Sequence, residues 1–176
     1  MKILISTLTT FGYISAIIGV ISLILLLIKK STYYPSNRQE EILDKMGKLK
    51  YIAGIFITIS TTCFLGSKEL IKQDFRKALN ENKIISTELD NTFFSQDDMK
   101  SVFRNFESTE GRFRCENYSG FINFESGENI PIEVFRHCYE KNRYIIISKK
   151  YSIDATIGDI RTSAFDFIKS DSITSQ

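Results

Sequence analysis

Histidine occurs once in this chain of 176 residues, at 137, and proline twice, at 35 and 131. One histidine with three cysteines, at 63, 115 and 138, gives poor material for a zinc site, which wants about four ligands in matched spacing. So little proline, with no internal repeat, excludes a proline-rich spacer, so a soluble part would sit close to whatever precedes it. An excess of one charge is also missing: Lys+Arg number 23 against 21 for Asp+Glu. Beyond residue 66 acidic side chains slightly outnumber basic ones, and no basic stripe appears there. Nucleic-acid binding, which neutralises many phosphates with clustered Lys/Arg, is therefore not expected. Nor does any stretch carry a catalytic or cofactor motif, so the expectation is a non-enzyme without a cofactor.

What the chain does have is two long apolar runs in its first 66 residues. The run from Ile3 to Ile28 carries no charged side chain and, at about 1.5 Å rise per residue, exceeds what a ~30 Å hydrocarbon core requires. A cleaved signal peptide is disfavoured, because h-regions run about 7 to 15 residues and the sequence after Ile28, Lys29-Lys30-Ser31-Thr32, offers no small-residue cleavage site. The second run, Tyr51 to Gly66, is shorter and contains Thr58, Ser60, Thr61, Thr62 and Cys63; hydroxyls of this kind can bond to the preceding turn inside lipid. These spans predict a transmembrane hairpin over residues 1–66, with a polar helical loop, 29–50, between them. In that loop Ser36 and Gln39 form a capping box, and Ile42, Leu43 and Met46 recur at helical spacing. Thr58, Thr61 and Thr62 would line a helix–helix contact if the hairpin self-associates into a homo-oligomer. A connecting amphipathic helix, 67–82, carries Leu70, Ile71, Phe75 and Leu79 at three-to-four spacing and is expected to pack on the domain that follows.

Residues 83–168 predict a small α+β domain, and 169–176 a disordered polar tail. Ser95 followed by Asp97 and Asp98, then Met99, Val102, Phe103 and Phe106 on one face, marks an N-capped helix. A short strand over 83–88 precedes it. From Arg112 the period changes to two, giving strands at 112–118, 120–125, 130–139 and 143–149 separated by polar turns, an antiparallel meander. The end, 156–167, is a last strand or a short helix. Phe113, Ile122, Phe124, Ile132, Val134, Ile145 and Ile147 are the expected core, with one or two helices packed on the sheet. Pro131 cannot donate to a ladder and places the start of its strand at an edge or bulge.

Cys115 and Cys138 alternate with Phe113 and with Ile132 and Val134, which puts each on the apolar face of its strand. They pair if the compartment is oxidising and the strands are adjacent; otherwise they are two small buried thiols. His137 next to Cys138 invites a metal or Cys/His reading, but neighbours on a strand point to opposite faces, so a half-exposed histidine is expected. The face Arg112, Arg114 and Tyr118, with Phe135, His137 and Tyr139 on another strand, mixes cations and aromatics on the less buried side and is the candidate binding face. Lys/Arg bias across the spans is slight and favours an extracytoplasmic domain, with the protein as a multi-pass resident of the cell (inner) membrane. The expected role is protein binding or complex assembly at the membrane surface, with the lipid bilayer and another membrane or extracytoplasmic protein as partners. The rival reading is an effector whose β-rich domain senses a small molecule and gates the hairpin.

Overall fold

The uncharged N-terminal run forms α1, Lys2–Ser31, and the second run lies within α2, Gln39–Glu81, in a computed structural model of the protein. Both helices are long and apolar enough to cross a membrane. The structure describes residues 1–31, 39–95, 99, 101–103, 105–108, 113–166 and 168, with the backbone alone for 30, 31 and 39–46. The capping-box serine Ser36, the aspartates Asp97 and Asp98, the face residue Arg112 and the tail 169–176 lie outside the described residues. Contacts divide the chain into two compact units, Met1–Ser67 and Lys68–Gln176.

In the first unit several small and hydroxyl-bearing side chains are inside. Thr9, Ser15 and Ser22 of α1 and Ala53, Ser60, Cys63 and Ser67 of α2 are buried. The Ser60 hydroxyl donates to the Gly12 carbonyl at 3.0 Å, and the Thr9 hydroxyl lies 3.3 Å from that of Ser67. At Gly19 a Cβ would stand 3.0 Å from Ile57 Cγ1, so a larger residue there would press the Ile57 side chain aside where the two helices approach. Large apolar side chains point outward instead: Ile3 is 83% exposed, Leu27 67% and Leu65 64%. This reverses the pattern of a helix pair packed in water. Thr58, Thr61 and Thr62 are exposed on α2, each hydroxyl satisfied at 2.9 Å by the carbonyl four residues earlier.

The second unit holds one six-stranded antiparallel sheet, an α+β arrangement with the C-terminal turns of α2. Its strands are β1 (Ile84–Leu89), β2 (Thr92–Ser95), β3 (Arg114–Phe124), β4 (Asn129–His137), β5 (Arg143–Ser148) and β6 (Ala155–Arg161), in the spatial order β2-β1-β3-β4-β5-β6. Phe75 and Ala78 of α2 enter the core beside Ile122, Phe124, Ile132, Val134, Tyr144 and Ile146, with Leu79 packed against it. Met99 and Phe103 are buried in the same core, and the Phe103 amide donates to the Met99 carbonyl at 3.2 Å, one helical turn. β5 is buried along its whole length, Ile145 and Ile147 included.

Two expectations are corrected. The strands foreseen at 112–118 and 120–125 are one, β3, running straight through Ser119-Gly120 because Gly120 pairs with Leu89 on one side and Ile132 on the other. A register shift between Arg114 and Asn117 then changes the alternation at its start. Phe113 is consequently 49% exposed rather than core, and Tyr118, expected on the open side, is 1% exposed. Second, β1 is followed at once by β2 through a two-residue turn, Asp90 (φ 42°) and Asn91 (φ 63°), both in the left-handed region that Asx residues tolerate. Of the two alternatives for 156–167, a last strand or a short helix, the strand forms, as β6 up to Arg161.

Candidate functional site

The register shift that displaces Phe113 also shapes the end of the sheet where β3 begins and β4 finishes. A bulge bends its strand and re-aims side chains, and Cys115, inside the shift, comes to face Cys138, the first residue past β4. Their Cα atoms are 5.2 Å apart and their sulfurs stand at disulfide distance, on adjacent strands with no third strand between. Neither is a core thiol: Cys115 is exposed and Cys138 half-buried. The alternation read across Cys115 assumed an unbroken pleat, which the shift interrupts.

His137 is 8% exposed, not the half-exposed residue expected. Its Nδ1 accepts the backbone N–H groups of Tyr139 at 3.3 Å and Glu140 at 3.0 Å, which ties the turn after β4 back onto the ring. Phe113 and Tyr139 close over it edge-on, with ring centres 5.9 Å and 6.3 Å from the imidazole and 5.0 Å from each other. Arg114 lies over the Phe135 ring at 5.1 Å. The structure thus brings Arg114, Phe135, His137 and Tyr139 together and adds Phe113; Tyr118 is on the other side, in the core. With Nδ1 engaged and both sulfurs paired, this end offers no thiolate to act with the imidazole.

Around the disulfide, Cys115, Glu116, Arg136, His137, Cys138, Tyr139 and Lys141 line a groove of about 320 Å³. Its carboxylates are already engaged. Glu116 accepts the Tyr118 hydroxyl at 2.7 Å and Arg136 at 3.4 Å; the Tyr118 bond holds its carboxyl below the usual range, while burial and Glu116 push the phenol up to about 12. Glu140 accepts from Arg143 and, at 2.9 Å, from Arg161. Its carboxyl is held low by the Arg143 bond. Arg114 and Lys141 are exposed and have no carboxylate partner among the described residues.

Elsewhere in this unit Lys150 meets Asp74 of α2 at 2.7 Å and Glu128 at 2.6 Å, and the Tyr151 hydroxyl donates to the same Asp74 at 2.7 Å. Burial alone would lower the Lys150 ammonium, but these carboxylates hold it above its ordinary range. This knot fastens the end of α2 to the loop after β5. Among the described residues no group of three His, Cys, Asp or Glu is placed to hold a metal ion.

The disulfide closes a segment with a sequence separation of 23, for which the loop-entropy relation gives about 3 kcal/mol. The double variant Cys115→Ser/Cys138→Ser is expected to lose about that much in equilibrium denaturant unfolding, with a slope no shallower than that of the wild type because the opened loop lets the unfolded chain expose more surface. The wild type in excess dithiothreitol should fall to the same midpoint; a wild type indifferent to reductant would show that the sulfurs are not bonded in the protein.

Comparison with protein families, with characterised proteins and with solved structures finds no match.

Proposed function

We propose that this chain is a two-span membrane protein of the cell (inner) membrane whose C-terminal unit lies outside the cytoplasm and binds another protein through the disulfide end of its sheet. The observation that carries this reading is the cluster at that end. Phe113 and Tyr139, 49% and 77% exposed, stand beside the Arg114–Phe135 stack on a turn pinned by the disulfide and by His137. Aromatic rings and arginine are the residues that dominate interface centres, and a turn fixed in advance loses little freedom on binding.

The spanning part of the reading draws on the pattern of the first unit, with Thr9, Ser15, Ser22, Ser60 and Ser67 inside and most isoleucines and leucines outside, which suits lipid rather than water. The two helices would form a hairpin, and the outward Thr58, Thr61 and Thr62 would supply the close-packing face for a homo-oligomer. A disulfide belongs to an oxidising compartment, which favours the extracytoplasmic placement and counts against the rival, a cytoplasmic small-molecule sensor.

A photoreactive side chain placed at Tyr139 in the full chain is expected to yield a discrete heterologous adduct in membranes that keep the protein through an alkaline carbonate wash. The same group at Glu125, in the β3–β4 turn at the opposite end of those strands, should yield none. Release by carbonate would overturn the spanning assignment, and identical adducts at both positions would overturn the binding assignment.

A further inference from the structure

We propose that the partner presents an acidic segment carrying an apolar or aromatic side chain, and that Arg114 and Lys141 recognise its carboxylates while Phe113 and Tyr139 take the apolar group; this rests on the binding role proposed above and names its chemistry. The case is one of charge complementarity. The described carboxylates that meet the arginines of this end are all matched within the chain: Glu116 to Tyr118 and Arg136, Glu140 to Arg143 and Arg161, Asp159 to Arg143 and Glu107 to Arg161. Arg114 and Lys141 remain exposed without a carboxylate among the described residues, so the unbalanced charge here is positive although the sequence as a whole is close to neutral. Such a patch attracts an acidic partner and repels a basic one, and its strength falls with salt.

Geometry supplies the second half. The Arg114 guanidinium stands over the Phe135 ring at 5.1 Å, a cation–π contact that positions the group while it stays exposed to a carboxylate, which arginine can engage through two parallel bonds where lysine cannot. Phe113 and Tyr139 form an edge-to-face pair with most of the Tyr139 ring open. Tyr139 and Lys141 both line the groove of about 320 Å³, room for one side chain of the visitor. A folded acidic surface could satisfy the charges, but the groove asks for a projecting side chain, which an exposed linear segment delivers.

The test uses the full chain in phosphatidylcholine nanodiscs, uncharged so that lipid adds no field, and a fluorescent peptide of aspartate and glutamate around one leucine and one phenylalanine. Fluorescence anisotropy is expected to show saturable binding that weakens about tenfold with Lys141→Glu, about tenfold when NaCl rises from about 0.05 M to about 0.5 M, and several-fold when alanine replaces the peptide's phenylalanine. Arg114→Gln, which keeps length and removes charge, should act in the same direction; thermal unfolding of each variant at the wild-type temperature certifies that the fold is intact. Binding that ignores Lys141→Glu and Arg114→Gln, or a lysine-rich counterpart that binds as well, overturns the inference. Loss of the acidic-peptide signal while the Tyr139 photoadduct persists would do the same and leave the binding role standing, whereas loss of both would remove the role itself.

Discussion

Gly120→Ala is expected to unfold the C-terminal unit. A Cβ at this position would lie 1.7 Å from the Glu88 carbonyl oxygen, 2.7 Å from its carbon and 2.9 Å from Leu89 Cα. All three are backbone atoms of β1, so no rotamer change relieves the clash, and the β1–β3 ladder must open at the Gly120–Leu89 pair. Opening it withdraws Ile84 and Leu89 from the core, and β2, which pairs only with β1 among the described strands, leaves with them. A loss above about 4 kcal/mol follows, in the class of large effects reserved for steric or core failure. Denaturant unfolding monitored by tyrosine fluorescence checks it, with Ser119→Ala, an exposed neighbour on the same strand, as the control expected within about 0.5 kcal/mol of wild type. A Gly120→Ala protein as stable as its parent would mean that β1 does not lie against β3 in this register.

The same glycine marks the boundary of what the sequence discloses. Ser119-Gly120 reads locally as a turn because glycine in a strand interior has no local justification; its reason is the approach of β1, a contact some thirty residues away in sequence. Splitting β3 there gave two independent alternations, and the first was then set with Phe113 inward and Tyr118 outward, the reverse of what the continuous strand and its bulge produce. Within elements whose periodicity is uninterrupted the reading is close: β4 and β5 fall within a residue or two of the expected ranges, and Met99, Phe103, Ile122 and Val134 reach the core as their spacing requires. The long helices needed only composition. Asp90-Asn91 did carry a local hairpin signal, two residues that tolerate positive φ between Leu89 and Thr92, but Ser95 drew attention as a helix cap instead. At the candidate site, alternation was enough to group Arg114, Phe135, His137 and Tyr139. It could not reveal that Phe113 joins them, that His137 is covered, or that β3 and β4 are neighbours and so bring Cys115 to Cys138, because each depends on register between strands.

A buried ion pair gives the second large effect, and its sign depends on how it is removed. Arg143 and Asp159 are 4% and 0% exposed, on β5 and β6, with the guanidinium 2.7 and 2.8 Å from one aspartate oxygen. The other oxygen, Oδ1, has no hydrogen-bond partner among the described residues. Arg143→Met alone leaves a carboxylate with no countercharge in a site without water-like screening, and a loss of about 3–5 kcal/mol is expected. The pair itself need not be worth that much, because its attraction must first offset the desolvation of both ions, and an acceptor left unmatched lowers the return further. The double variant Arg143→Met/Asp159→Leu removes both charges, keeps comparable volume, and leaves the backbone bonds between Asp159 and Glu107 and the Arg161–Glu140 contact in place. It is therefore expected to recover to within about 1 kcal/mol of wild type or to exceed it. Urea unfolding of the four members of this cycle reads the coupling directly. A double variant as unstable as Arg143→Met would sink the desolvation account, and would show instead that Arg143 acts by bracing Glu140 and the turn that carries Lys141, so that the edge of the candidate site, and not the interior of the sheet, is what this arginine holds.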